Sequence, residues 1–349
     1  MPGAPCDPSD LGPEFFTTAL RGRYPGIEVA AAELVEQQEG TNTRARFRLT
    51  YRRGTGPGAV FVKAPGRLLH RLALSVLGAL ETEARLASSG VRLPLEHAEL
   101  LAGVLLGGHR GSVVLLEDIS ARQASPNQPR TPLSPAEVES GLLELGSLHA
   151  AYLGRPLPAA LSFVSPWRLA PFWAAVSLPS LAVARRRLQS LENGSWPAKV
   201  SLPVLERQFR QSARLARSGP QTLLHGDPHP GNSYRLPGDR TGFYDWQLIR
   251  RGHFAHDVSY FLAGSLTVAD RRAHERRLLE VYLDALGSSG GRSPSFAETW
   301  ERYRAGPAFG LSTWLHTLSA GSFQETADTL AMIDRFKAAY EDLGTAKAL

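Results

Sequence analysis

A single cysteine, Cys6, is the only thiol in this 349-residue chain. It excludes an internal disulfide framework and fits a reducing compartment. It lies in the proline-rich opening MPGAPCDPSD and reads as an ordinary thiol near a loose terminus. That opening has neither a basic nor an apolar segment, so no secretory signal is visible. No run approaches the roughly eighteen apolar residues of a membrane span; a cytoplasmic protein with no membrane partner is expected. No G-x-S-x-G elbow is present, which sets a serine hydrolase aside. Gly54-Thr55-Gly56-Pro57-Gly58 precedes a strand instead of opening a helix, which argues against a dinucleotide loop. The net charge of +6 and pI of about 9.7 come mainly from arginine doublets and the triplet Arg185-Arg186-Arg187. A nucleic-acid binder would cluster such charges on one face with aromatics between them. Here they scatter through helical segments, so solvated helix faces and no nucleic-acid partner are expected; the surplus favours approach of polyanions.

What is present is ordinary in bulk, with 43% hydrophobic and 21% charged residues, and long enough for two lobes with separate cores. The informative stretch runs from Thr222 to Tyr260. Thr222-Leu223-Leu224 reads as a short strand that empties into His225-Gly226-Asp227-Pro228-His229-Pro230-Gly231-Asn232. Two prolines and two glycines make this octet a rigid loop. A second strand, Thr241 to Tyr244, delivers Asp245, and the two strands are expected to be neighbours. Asp227, Asn232 and Asp245 then supply three oxygen-bearing side chains at strand ends. Phosphoryl transfer needs such a set: a carboxylate to orient the acceptor and take its proton, and hard oxygen ligands for magnesium. Asp227 and Asn232 match the D-x-x-x-x-N spacing of kinase catalytic loops, and Asp245 supplies the second ligand.

On these residues, with Asp245-Trp246-Gln247 and Asp257-Val258-Ser259-Tyr260-Phe261-Leu262, the chain resembles the aminoglycoside phosphotransferase and choline-kinase-like superfamily of small-molecule kinases. The DWQ triplet and the phrase around Asp257 look most like the choline-kinase-like, ecdysteroid-kinase-related branch. The resemblance covers about residues 25 to 265. It implies an α+β, bilobal, protein-kinase-like fold: an N-terminal five-stranded antiparallel sheet plus helix, and a larger, mainly helical C-terminal lobe. It implies a leader over 1–24, a nucleotide-binding lobe over 25–119, a linker over 120–133 and a catalytic, acceptor-binding lobe over 134–349. The implied cofactors are ATP and Mg2+, and the implied partner is a small-molecule alcohol; no obligate protein partner is evident. Asp227 would be the base, Asn232 and Asp245 the metal ligands, and Asp257 a support for the loop.

The N-terminal part fits this plan. Ile27 to Val35, Arg44 to Tyr51 and Ala59 to Lys63 read as strands, the second with charged residues alternating along one wet face. Between the first two, the turn carrying Gly40, Thr41 and Asn42 stands where kinases cover the phosphates, although only one glycine is present. Lys63 resembles the third-strand lysine that contacts the α- and β-phosphates. A helix over about 67–89 offers Glu81 and Glu83 to hold its ammonium. Glu83, ahead of Ala84-Arg85-Leu86, fits the family pattern better. Glu99 to Leu106 and Ser112 to Leu116 complete the sheet, and Glu117-Asp118-Ile119 resembles the segment that meets the adenine through backbone groups.

Further on, Ser134-Pro135-Ala136-Glu137 is a helix start with a capping box. His149 on that helix reads as packed core. The segment 154–203, with Trp167, Phe172, Trp173 and Trp196, has no clean strand signal; its aromatics suit either core or an acceptor wall. Thr267-x-x-Asp270, Ser295-x-x-Glu298 and Ser322-x-x-Glu325 resemble further helix starts. Trp300, Tyr303, Phe309 and Trp314 suit either a helical core or an aromatic pocket. Only eleven residues separate Asp245 from Asp257 and no A-P-E follows, which disfavours a protein substrate. Two alternatives stay open: a metal-dependent hydrolase using His225, Asp227 and His229, and a nucleotide-binding module without catalysis. Amino-sugar acceptors would call for clustered acids; Asp270, Glu275, Glu280, Asp284, Glu298 and Glu301 are interspersed with arginines, and a neutral or lipophilic alcohol suits the aromatics better.

Overall fold

The computed structural model describes residues 7–191, 196, 200–288, 294–321 and 323–349; Cys6 and Ser322 lie outside them. In chain order, α1 (Pro13–Leu20) precedes β1 (Glu28–Gln38), β2 (Asn42–Arg53), β3 (Ala59–Pro65), α2 (Leu68–Val76), α3 (Thr82–Ser88), β4 (Leu100–Leu105) and β5 (Ser112–Glu117). The five strands form one antiparallel sheet in the order β1-β2-β3-β5-β4. The stretch expected as a leader contributes a helix: Phe16 and Leu20 of α1 are buried against the sheet, with the Phe16 and Phe47 rings 4.9 Å apart.

Strand alternation distributes the side chains. Val60, Val62, Val113 and Leu115 join α1 in one core. Val114 and Leu116 face the opposite way, into the large core of the helical lobe. β5 is therefore buried on both faces and welds the lobes together. Lys63 lies out of phase with Val60 and Val62, so it projects from the second face. The single helix expected over 67–89 is two. Gly78 has a left-handed φ of +64°, which ends α2 at the turn and lets α3 start in a new direction. α3 then lies directly on β4: a Cβ at Gly103 would come within 2.0 Å of the Ala84 carbonyl oxygen.

The rest is mainly helical: β6 (Ser125–Pro126), α4 (Pro135–Tyr152), α5 (Trp173–Gln189), α6 (Leu202–Leu215), β7 (Thr222–Leu224), β8 (Ser233–Leu236), β9 (Arg240–Phe243), β10 (Arg250–Gly252), α7 (Ala255–Ser265), α8 (Val268–Gly287), α9 (Phe296–Ala305), α10 (Pro307–Ala320), α11 (Thr326–Asp342) and α12 (Thr345–Ala348). Ser134 and Glu137 form the expected reciprocal cap of α4, and Ser295 and Glu298 that of α9. Thr267 caps α8 through the Asp270 N–H. α11 starts at Thr326 behind Glu325. The strands leading to Asp227 and Asp245 are not neighbours: β7 pairs with β10, whereas β9 pairs with β8. The link is instead between loops, since the Tyr244 N–H donates to the Asn232 carbonyl at 3.1 Å. Because the Gly103 contact sets the seat of Glu83, Gly103→Ala is expected to cost about 1–3 kcal/mol by overpacking. An unchanged urea midpoint would contradict that direct seating.

Candidate active site

Lys63 leaves β3 into a buried gap between three elements. Its Nζ lies 2.5 Å from Glu83 Oε2 and 2.9 Å from Asp245 Oδ1. The other Glu83 oxygen accepts the Trp246 N–H at 3.0 Å, so one carboxylate ties α3 to the segment after Asp245. Burial raises the Glu83 carboxyl and the charge of Lys63 only partly reverses this, leaving it above the usual value. Burial opposes Asp245 too, but there Lys63 and then Arg44 prevail and hold it below. Glu81, the rival on α3, pairs with Arg85 on the surface. Asp245 is also one of three non-glycine residues at positive φ among the described residues, at 69°. Such a backbone costs energy unless its surroundings hold it, and it aims the carboxylate across the cleft.

The loop after β7 is held from beneath. Asp257, near the start of α7, accepts the His225 and Gly226 N–H groups at 2.7 and 3.1 Å. His149 lies 3.3 Å away and completes its partners. An ionised carboxylate only accepts, so His149 Nε2–H donates to Asp257, and its other nitrogen sits 2.8 Å from the Tyr282 hydroxyl. Burial alone would raise the Asp257 carboxyl; His149, followed by His256 and His225, holds it below its usual value. Gly226 is required here, with φ of +89° and a Cβ position 1.9 Å from the Leu248 carbonyl oxygen. His149, read from the sequence as core, is thus core with a task. Its position one turn before the end of an apolar helix carries no signal of the partner 108 residues away.

Above this support, Asn232 Nδ2 donates to the Asp227 carbonyl at 2.9 Å and to its Oδ2 at 3.1 Å. Asp227 keeps 27% of its side-chain surface open. Burial, then the charge of Asp245, pushes its carboxyl well above the usual range against hydrogen bonds from Tyr260 and Asn232. Tyr260 was not among the expected site residues. It stands one helical turn after Asp257 and so shares its face of α7.

The donors suit a hard divalent cation. With its amide nitrogen committed to Asp227, Asn232 has its oxygen left to ligate. Asp245, engaged through Oδ1, has Oδ2 to offer. Magnesium commonly takes only one or two protein ligands, the rest being phosphate and water. Among the described residues no group of three or more His, Cys, Asp or Glu could hold a metal by itself. The hydrolase alternative loses its first ligand. His225 Nδ1 accepts the Asp227 N–H at 3.3 Å, and its other nitrogen donates to the Tyr244 carbonyl at 3.1 Å. Neither lone pair is left for zinc. His229 Nδ1 likewise accepts from Gly231 at 3.0 Å, and burial pushes His229 down to about 3, so it is neutral.

Beside Lys63 a hollow with about 310 Å³ of empty space is lined by Asn42, Glu83, Ser112, Val114 and Gln247, among others. Gln247, the last residue of the DWQ triplet, thus lines the hollow beside Lys63. Gly40 and Thr41 form the β1–β2 turn, with His70 Nδ1 3.2 Å from the Gly40 oxygen. The Glu117 side chain is engaged by Arg122 at 2.8 Å and by the Glu99 N–H at 3.2 Å, and its own N–H donates to the Glu99 carbonyl at 2.9 Å. Ile119 packs with Tyr244 against Tyr234.

The sequence pattern of the phosphotransferase enzyme family matches residues 42–305. No curated protein matches the chain significantly by sequence. Among solved structures, spectinomycin phosphotransferase APH(9)-Ia with ADP and spectinomycin is 13% identical with a TM-score of 0.50, covering 98% of this chain and 100% of that one. The GDP and kanamycin complex of APH(2")-IIia gives the same identity and TM-score over 95% and 98%. A choline kinase from Streptococcus pneumoniae is 13% identical with a TM-score of 0.47, over 95% and 98%. At these identities the likeness is one of fold.

The support beneath the loop has a thermodynamic consequence. The folded Asp257 carboxyl lies below its unfolded value, so its stabilisation is present above the unfolded pKa and lost as pH falls through the folded one. Asp257→Asn is expected to cost about 3 kcal/mol at neutral pH, by leaving buried donors unmatched. The gap from the native protein should narrow as pH drops below about 4. A pH-independent gap would remove the charge from the explanation.

Proposed function

The chain belongs to the phosphotransferase enzyme family, and from that premise we propose that it transfers the γ-phosphate of ATP, with magnesium, to a hydroxyl of a small molecule. One observation carries this reading: Asp245, the ion-pair partner of Lys63, also lies close enough to Asp227 for its charge to act there, and Asp227 is bonded to Asn232. Lys63 orients the α- and β-phosphates, and Glu83 keeps its flexible stem from wandering. Asn232 and Asp245 hold magnesium, which when bound neutralises charge on the β- and γ-oxygens. The turn at Gly40, Thr41 and Asn42 covers the phosphates, and the backbone at Glu117 and Ile119 meets the base. Asp227, whose raised pKa makes its ionised carboxylate a stronger base and which is open on one side, orients the acceptor hydroxyl and takes its proton as the hydroxyl oxygen bonds the γ-phosphorus and the bond from that phosphorus to the departing ADP oxygen breaks.

The acceptor side favours an uncharged alcohol with an apolar face. Trp314 and Tyr260 flank the neutral His229 with ring centroids at 5.2 and 6.4 Å, next to Asp227. Four of the acids that would recruit a polycation have other work. Asp270 and Glu298 close helix caps, Glu275 binds Arg271 and Tyr303, and Glu301 pairs with Arg304. The 154–203 segment supplies core and wall together: Trp167 is buried, while the Trp173 ring lies 4.6 Å from His316 on α10.

Asp227→Asn should keep ATP affinity and lose about 10²–10⁴-fold in transfer. Full turnover in that variant would remove Asp227 from the role of base. In an acceptor screen for ATP consumption, neutral or lipophilic alcohols should be turned over ahead of polycationic amino sugars. The reverse order would overturn the acceptor reading and leave the kinase reading standing.

A further inference from the structure

β2 carries arginine at alternate positions: 44, 46 and 48, with Arg52 further along. Ala45, Phe47 and Leu49 are buried in the N-terminal core, so the arginines between them share the opposite face. Three of the four are matched with an acid. Arg46 meets Asp118 at 2.6 Å, Arg48 meets Glu33 at 2.7 Å and Arg52 meets Glu28 at 2.8 Å. Arg44 makes no ion pair or hydrogen bond among the described residues. An exposed arginine in a strand is ordinary; its position here is not.

Arg44 stands directly across the ladder from Lys63, and residues so paired project to the same side of a sheet. That side faces the cleft. Lys63 on it reaches Glu83 and Asp245, and Arg46, two residues along, also touches Ser120 at 3.0 Å, beyond the end of β5. The wall Arg44 overlooks is short of positive charge, since Lys63 is shared between two carboxylates. A triphosphate arriving there meets a net negative cluster, even with one divalent ion to offset it.

We propose that Arg44 is a nucleotide-phosphate-binding residue whose guanidinium contacts the terminal phosphate oxygens from the strand side of the cleft. This rests on the nucleotide reading given above and extends it to a residue outside the expected lysine, turn and metal ligands. The guanidinium fork matches two phosphate oxygens at once, and a phosphate contact is a use for the one arginine of the row left without an acid.

Direct binding of ATP and of adenosine, compared across four proteins, tests it: the native chain, Arg44→Gln, Arg44→Lys and Arg48→Gln. Arg44→Gln should weaken ATP by at least about tenfold, the worth of a charged hydrogen bond, and leave adenosine unchanged. Arg44→Lys should fall between, and Arg48→Gln, which removes the same charge from the same face, should bind ATP as the native chain does. Equal effects on ATP and adenosine, no effect on either, or an equal loss in Arg48→Gln would each overturn the assignment. Failure of the native chain to bind ATP would instead sink the nucleotide reading beneath it. The Arg44 position is exposed, so the variants should fold; matching melting curves check this.

Discussion

The structure depends on one buried cation with two anionic neighbours. Lys63 comes from the sheet, Glu83 from α3 and Asp245 from the loop after β9, so their meeting point is where the two lobes are held in register. Such a cluster is a poor source of net stability, because desolvation takes back most of the Coulomb gain. What it provides is position and an uneven charge distribution. Burial leaves Glu83 above its ordinary value while Lys63 and Arg44 hold Asp245 below. Asp245 is therefore the carboxylate whose ionised form is favoured, and it is the one with an oxygen still to offer.

Around that point the polar groups are nearly all committed, and the commitments determine what remains free. Asp257 takes two backbone N–H groups and a histidine, which makes a proline- and glycine-rich octet into a fixed platform. Both nitrogens of His225 are engaged, and Asn232 spends its amide nitrogen on Asp227. The oxygen donors and one open face of Asp227 are what the chemistry has to work with. Asp245 at positive φ and Gly226 against Leu248 are conformations the surrounding packing must hold in place.

The same logic separates the two sides of the cleft. On the Lys63 side, one ammonium is shared between two carboxylates, and Arg44, across the ladder from it, has no acid of its own among the described residues. On the acceptor side, acids are paired or capping, and rings surround a histidine that burial keeps neutral.

Local chemistry alone determined much of this. The octet from His225 to Asn232 had to be a loop, the run ending at Lys63 had to be a strand with the lysine out of phase with its valines, and Ser134 with Glu137 had to start a helix. Each follows from steric and hydrogen-bonding rules that act within a few residues, so composition and spacing suffice to read them. Tertiary structure decided the rest. The expected neighbouring strands lie in different sheets, and the loops are joined by a single backbone bond between Tyr244 and Asn232. The helix over 67–89 broke at Gly78, a residue equally at home as a mild flaw inside a helix. His149 reads from the sequence as core, and Tyr260 stands there only within the phrase around Asp257. Their partners, Asp257 for one and Asp227 for the other, come from elements dozens of residues away, and no periodicity records which distant side chain will arrive.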